Sequence, residues 1–297
     1  MKNKFLHNVL KTTYHTVLGV TSHIVGAKNA KMIDALVRFK RPLNLYSPKN
    51  LAEKTAWLEY HDKNELRVTC TDKWAVRDYI RSKGYESLLV PVYGDVYTSV
   101  DALDLSSLPD SFVIKATHGC YMNIICTDKS SFDLDQAKSK INTWLQTTYG
   151  TDLFETHYKP IPHRFYIEKC LDEGDAIIDY KIFCYNGKPS FIFICSNRKS
   201  GLKYSVYDLD WKPMHGVLSS KHSTTHEFPR PENLETMLQI ASKLSEDFAF
   251  VRVDLYNIHN TIYFSELTFT PGACILPYFK TSFLISEGKK LVLPNIK

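Results

Sequence analysis

The stretch "FVRVDLYNIHNTIYFSELTFTPG", residues 250–272, sets two carboxylates, Asp254 and Glu266, in an apolar, aromatic run that reads as two strands and a turn. Strand side chains alternate faces, so the loop decides whether the two acids meet. A two-residue loop, His259-Asn260, pairs Ile258 with Thr261 and sends the acids to opposite faces. A three-residue loop, Ile258-His259-Asn260, pairs Asn257 with Thr261. Glu266 then lies diagonal to Asp254, on the face that also carries Arg252 and Thr268. Asn tolerates the left-handed position such a loop needs, which selects the three-residue loop. Two close carboxylates resist joint ionisation. A divalent cation removes the conflict, and Mg²⁺ takes one or two carboxylates together with phosphate oxygens. The alternative is a half-exposed face on which Arg252 pairs with the acids.

Other residues invite similar chemistry. Lys115 ends the strand "FVIK" and precedes "ATHGCYMN". A lysine there can meet phosphate oxygens while backbone N–H groups around His118 and Gly119 cover them. It can equally reach for solvent. Lys73 is a second phosphate candidate or a first-turn surface lysine. "YIEKCL" puts Glu168 and Lys169 in an apolar strand, and buried charge needs partners. A purine amino group on Glu168, and the backbone of Lys169, Cys170 and Leu171, would supply them; an edge strand in water would also serve. Asp179 and Lys181 share a strand face, suiting a ribose hydroxyl and a phosphate, or a cross-strand ion pair. "HSTTHE" (222–227) reads as a loop ahead of Pro229. There is no Walker A sequence, no G-x-G-x-x-G, no G-x-S-x-G and no nucleophilic triad pattern.

These residues need elements to position them. Apolar spacing predicts helices over 5–18 and 133–149, and a third over 47–64 with Ser47 as N-cap and Pro48 at its first position. A fourth helix spans 71–84, capped by Asp72 and stopped by Gly84, and a fifth spans 232–246. Strands are expected at 88–92, 112–116, 123–127, 165–171, 177–185 and 189–196, with Asn186-Gly187 closing a hairpin. Helices interspersed with antiparallel pairs make an α+β protein of two lobes.

The 297 residues, 44% hydrophobic, suffice for a large core. No apolar run is long enough to span a bilayer, and the start does not read as a signal peptide. The seven cysteines are scattered without a CxxC pair, which argues against a disulfide framework or a zinc ribbon and suits a reducing cytoplasm. Residues 1–60 hold ten Lys/Arg against three Asp/Glu, within a chain of net charge +5. That basic start suits contact of residues 1–40 with an anionic membrane surface, or is a solvated helical face.

The order of these features is more specific than any one of them. "DKWAVRDYI", "LPDSFVIKATHGCYMNII", "DYKIFCYNGKPSFI", "YDLDWKP" and the 250–272 hairpin together resemble the ATP-grasp superfamily, most closely its TupA-like (teichuronopeptide-biosynthesis-like) family, over roughly residues 45–275. The resemblance implies an ATP-grasp fold: a basic helical segment, residues 1–70, then a domain over 71–297 whose lobes, about 71–175 and 176–297, grip ATP between antiparallel sheets. It assigns Lys73 and Lys115 to phosphates, the 117–123 loop with His118 and Gly119 to a lid, Glu168 and residues 169–171 to adenine, and Asp179 to the ribose. Asp254 and Glu266 become Mg²⁺ ligands, with Thr268 the candidate for a third. Thr268 stands where many such ligases, D-alanine–D-alanine ligase among them, have Asn. Arg252 would face the transferred phosphoryl group. Lys181, Arg198, Arg164 and Tyr207 would hold an acidic substrate.

The implied activity is a cytoplasmic carboxylate–amine ligation through an acylphosphate, at the inner face of the membrane. It would join an amino acid or peptide to a uronic-acid-type carboxylate in bacterial surface-polysaccharide assembly, with no nucleic-acid partner. An ATP-grasp kinase, a glycosyltransferase-like polysaccharide enzyme and a non-catalytic nucleotide-binding protein are the alternatives.

Overall fold

The computed structural model describes residues 22, 24–171, 177–196, 201–223 and 226–295. The helix expected over 5–18 and the side chain of Arg198 lie outside them. Four helices lead: α1 (Ala27–Phe39), α2 (Leu51–His61), α3 (Leu66–Thr71) and α4 (Val76–Ser82). Strands β1 (Val92–Tyr97), β2 (Phe112–Ala116), β3 (Asn123–Cys126) and, after α5 (Leu134–Leu145), β4 (Phe165–Lys169) form an antiparallel sheet in the order β1-β4-β2-β3. Strands β5 (Asp179–Tyr185), β6 (Lys188–Ser196), β7 (Lys203–Tyr207), β8 (Phe250–Ile258) and β9 (Thr261–Thr268) form a second, ordered β7-β6-β5-β8-β9. Helix α6 (Leu234–Ser245) precedes β8, and α7 (Thr281–Lys290) closes the described fold. The α+β class and the two antiparallel sheets match the expectation.

Three expected starts move. The helix expected over 71–84 begins at Val76, after a turn over 72–75, and Asp72 is the C-cap of α3. Helix α2 is capped by Asn50, not Ser47. Asn50 Oδ1 accepts from Glu53 N at 3.0 Å, and Glu53 Oε2 accepts from Asn50 N at 3.1 Å. This reciprocal box satisfies two orphan N–H groups at once, which Ser47 followed by Pro48 cannot match. The strand expected at 88–92 begins only at Val92, after a 3₁₀ turn over Glu86–Leu88. Pro91 has no N–H for a ladder; its carbonyl accepts instead from Lys169 N at 2.8 Å. Asn186 and Gly187, with φ of 49° and 79°, close β5–β6 as a two-residue turn.

Each sheet buries one apolar face. Phe112, Ile114, Phe165 and Ile167 pack on Ile141 of α5. In the second sheet, Ile182, Ile192, Ile194, Val251, Val253 and Leu255 pack on Leu234, Met237, Ile240, Ala241 and Leu244 of α6. The second sheet's other face is divided. Phe183, Phe191 and Phe250 join Phe279, Phe283 and α2 in an aromatic core, with Phe183 stacked on Phe191 at 4.4 Å. The rest of that face carries charge.

Helix α4 links the sheets. Tyr79 and Ile80 enter the α6 core, and Tyr79 Oη reaches the Leu244 carbonyl and Asp247 at 3.0 Å each. Helix α7 crosses the start of α2 so closely that a Cβ on Gly288 would stand 2.4 Å from the Lys49 carbonyl oxygen and 2.6 Å from Asn50 Cα. Alanine in a helix interior ordinarily stabilises by up to about 1 kcal/mol over glycine. Here it meets rigid backbone. Gly288→Ala is therefore expected to destabilise the protein by about 1–3 kcal/mol in a denaturant titration; a gain would show that the crossing is not tight.

Candidate functional site

The hairpin reaches the expected face by a different device. Its loop has two residues, not three: Ile258 pairs with Thr261, and His259 and Asn260 sit at φ of 48° and 61°. Both central residues are left-handed, as the favoured two-residue turn requires. That parity would separate the acids. A bulge at Ser265 restores it, because Leu255 pairs with Phe264 while Asp254 pairs with Glu266. The acids are therefore directly opposite, not diagonal.

Lys181 flanks Asp254 on the other side, and Arg252 pairs with Thr268 in the next row. Asp254 is fully buried. Arg252 clamps it with two 2.6 Å bonds, Nε to Oδ1 and Nη2 to Oδ2. Lys181 Nζ donates to Asp254 Oδ2 at 2.6 Å and lies 3.7 Å from Asp179. Arg252 Nη2 also reaches Glu266 Oε1 at 3.1 Å and Thr268 Oγ1 at 2.9 Å. Burial opposes ionisation of Glu266. Lys73, Arg252 and Lys181, with the Thr268 hydroxyl at 2.9 Å, outweigh it and hold the carboxyl at about 2. Burial opposes the Arg252 charge too, yet Asp254 and Glu266 raise its pKa.

The first sheet presents a matching row. Strand β4 is internal, so Glu168 is not on a water-facing edge. It is buried and ion-paired with Lys115. Burial works against the Lys115 charge, but Glu168, Tyr166 and Tyr256 outweigh it and raise the pKa. Tyr256 belongs to β8, so the charge of Lys115 is felt on the face of the second sheet that carries Asp254. Lys73 acts on that face too. Its N–H donates to the Thr117 carbonyl at 3.0 Å, its Nζ to the Gly119 carbonyl at 2.6 Å, and its charge acts on Glu266.

Sequence reasoning missed what fixes Lys73. Asp72 is not the N-cap of α4: its Oδ1 accepts from Trp74 N at 2.8 Å in the turn between α3 and α4, and its Oδ2 accepts from Arg164 Nη2 at 2.7 Å. Thr117 N in turn donates to the Arg164 carbonyl at 2.9 Å. No local signal marks a pair 92 residues apart.

Several expected side chains face elsewhere. Arg164 is committed to Asp72 rather than held out for an acidic substrate. Tyr207 lies in the α6 core, stacked on Trp211 at 4.2 Å, with its hydroxyl accepting from Phe228 N. The His118 ring is buried against His163 at 4.3 Å and bonds the Trp144 carbonyl, so only its backbone borders the loop. Lys169 is exposed and its N–H is bonded to Pro91, while Cys170 and Leu171 are half-buried beyond the strand. Asp179 is buried beside Lys181.

Among the described residues, no three His, Cys, Asp or Glu side chains gather as a metal site. Two carboxylates do: Asp254 opposite Glu266, whose Oε2 has no hydrogen-bond partner among the described residues. Glu266 fits Mg²⁺ with phosphates completing its shell; Asp254, fully buried with both oxygens held by Arg252 and Lys181, fits only by giving up one of those bonds. Thr268 fits less well, since its hydroxyl already donates to Glu266 and accepts from Arg252.

The profile of the TupA-like ATPgrasp family matches residues 53–290. The chain belongs to that family. Among solved structures it is similar to D-alanine–D-alanine ligase from Helicobacter pylori (14% identity, TM-score 0.48, covering 82% of this chain and 70% of that one). It is also similar to D-alanine–D-alanine ligase from Bacillus anthracis complexed with ATP (14%, 0.43, 87% and 82%) and to L-amino acid ligase from Bacillus licheniformis (14%, 0.44, 81% and 48%). A comparison with curated proteins returns no match.

Just past β9, Thr270 donates to Glu155 in a crevice with no room for water. Burial pushes the Glu155 carboxyl up to about 7, against the pull of Thr270 and Lys31. Its Oε2 has no partner among the described residues. The folded state therefore holds this proton longer than the unfolded chain. The stabilisation from Glu155 is full below its ordinary 4.5 and is lost as pH rises to about 7. Subtracting Glu155→Gln from wild type should reveal a stability loss of up to about 3 kcal/mol across that window. Parallel stability–pH curves for the two proteins would refute it.

Proposed function

We propose that this chain is an ATP-dependent carboxylate–amine ligase that works through an acylphosphate. The observation that carries the reading is the pair of charged groups, Lys73, Lys115 and Glu168 in one and Lys181, Arg252, Asp254 and Glu266 in the other, in a chain of the ATP-grasp family. The proposed lobes, about 71–175 and 176–297, follow a basic segment over 1–70.

Lys73 and Lys115 hold the ATP phosphates under the 117–123 loop. Glu168 and the backbone at Cys170 and Leu171 take the adenine, and Asp179 the ribose. Asp254 and Glu266 hold Mg²⁺ with phosphate oxygens, and the ion supplies charge neutralisation at the triphosphate. Arg252 and Lys181 face the γ-phosphoryl group. A substrate carboxylate oxygen attacks the γ-phosphorus and the bond to ADP breaks. The amine then attacks the acyl carbon, phosphate leaves with the acyl oxygen's electron pair, and the amine proton passes to solvent. Fixed cations, not a nucleophilic side chain, carry this chemistry.

The acid is proposed to be a uronic-acid-type carboxylate of a surface polysaccharide, and the amine that of an amino acid or peptide. Among the described residues no helix is long and apolar enough to cross a membrane. All seven cysteines are free thiols, which accords with the cytoplasmic location proposed.

The protein, ATP, Mg²⁺, a uronate and hydroxylamine should yield ADP, phosphate and a hydroxamate. ADP formed without hydroxamate would indicate a kinase. Asp254→Asn and Glu266→Gln should each slow turnover about a hundredfold or more; unchanged Mg-ATP affinity and turnover in both would end the carboxylate assignment. Asp72→Ala should weaken nucleotide binding about tenfold by releasing Lys73, with Asp72→Asn recovering much of it through the retained bond to Trp74 N. Equal affinity in Asp72→Ala and wild type would remove the positioning role.

A further inference from the structure

Helix α1 is turned inside out. Its buried side holds Ala30, Lys31, Asp34 and Ala35. Lys31 Nζ donates to the Leu153 carbonyl at 2.7 Å, and Asp34, fully buried, is clamped by Arg38. The outer stripe is apolar: Ile33, Leu36 and Val37 are 40%, 53% and 47% exposed. Lys40 continues that stripe at helical spacing, and Phe39 (38%) flanks it. Ile24, one turn ahead, is 80% exposed, and a groove of about 380 Å³ runs beside Leu36 against Pro42 and Leu43. A surface helix ordinarily sends its apolar face inward, and a contiguous exposed patch marks a contact surface.

Charge selects the occupant. Between residues 24 and 50 the outward cations are Lys28, Lys40 and Lys49, since Lys31 is buried, Arg38 is paired with Asp34 and Arg41 donates to the Ile275, Leu276 and Phe279 carbonyls; the one acid, Asp34, is turned inward. The outer surface of α1 thus offers apolar groups and cations and no carboxylate. Two copies meeting through this stripe would bring like charges together. An anionic phospholipid surface complements both properties, with the apolar stripe in the interface and lysines at the phosphates. Tyr46, 68% exposed, stands beside the patch with Lys28 over its ring at 4.1 Å, an aromatic–cation pair suited to headgroup depth. At 13 residues α1 is too short to span a bilayer. It also precedes residue 53, where the family match begins.

We propose that α1 docks the protein on anionic phospholipid, lying in the plane of the surface. The proposal does not depend on the ligase reading. The full chain should float with phosphatidylcholine vesicles containing about 30% phosphatidylglycerol, at least about tenfold more than with phosphatidylcholine alone, and release at high salt. The double variant Leu36→Asp/Val37→Asp should lose flotation, and Lys28→Glu/Lys40→Glu should weaken it about tenfold. Both should melt with wild type, since Leu36, Val37 and Lys40 are exposed and Lys28 is half-buried only beside the exposed Tyr46 ring. Failure of wild type to float would overturn the proposal, as would undiminished flotation of the Leu36→Asp/Val37→Asp protein. A wild-type dimer that the same variant renders monomeric, without lipid binding, would make the stripe a self-interface instead.

Discussion

Arg252 and Asp254 form the interaction on which the rest of the second sheet depends. A fully buried carboxylate is tolerable only when paired and hydrogen-bonded. Asp254 receives both bonds of a guanidinium fork and a lysine besides. Its partners come from its own strand and from β5, so the pairing holds only in one register. A slip of one residue would turn Asp254 into the α6 core and Val253 into the charged row. The Ser265 bulge belongs to the same constraint. Without it, the two-residue turn would carry Glu266 to the wrong face.

The first sheet repeats the solution with fewer groups. Lys115 and Glu168 neutralise one another on internal strands. Each sheet therefore keeps an apolar face on its helix and an ionic row on the other, which in the second sheet shares that face with the aromatic core. Lys73 reaches across, held by the Gly119 carbonyl and acting on Glu266. Its own position is relayed through Asp72 and Arg164 to β4. On the proposed reading, these internal ion pairs are the partners that phosphate and metal would exchange with. That keeps the exchange nearly neutral in charge while the side chains stay preorganised.

Local signals were legible and long-range ones were not. Strand β2 was read to the residue, because five apolar-rich positions bounded by polar ones leave little choice. The Asn186-Gly187 turn was equally plain. The hairpin loop was misread because the bulge leaves no composition signature: Ser265 looks like any outward strand residue. Asp254, Glu266, Arg252 and Thr268 nonetheless share the face their parity implies, since the shorter loop and the bulge cancel; the place of Lys181 beside Asp254 has no sequence signal. Arg164 and Tyr207 looked available because their partners, Asp72 and Trp211, are set by tertiary packing. Helix α1 was unreadable for the opposite reason. Its periodicity is amphipathic, but the buried side is the charged one.

The buried charges of α1 are tied to the same region as the site. Lys31 lies near Glu155, Glu155 takes the Thr270 hydroxyl, and Thr270 follows β9 by two residues. Nearby, Glu59 bonds Arg67 and Thr156 and is held at about 2, burial being outweighed by His157 and Arg67. Glu155 has no such cation in contact and rises to about 7. Two acids in one crevice are thus pushed in opposite directions, because only Glu59 has His157 and Arg67 in contact to outweigh its burial. Burial opposes charge on Lys31 and on Glu155 alike, and each pulls the other toward its charged form, so the inward turn of Lys31 is offset by the Leu153 carbonyl and by Glu155 as it ionises. The helix can then leave its apolar residues outside, and the outward stripe and the inward charges become two consequences of one packing arrangement.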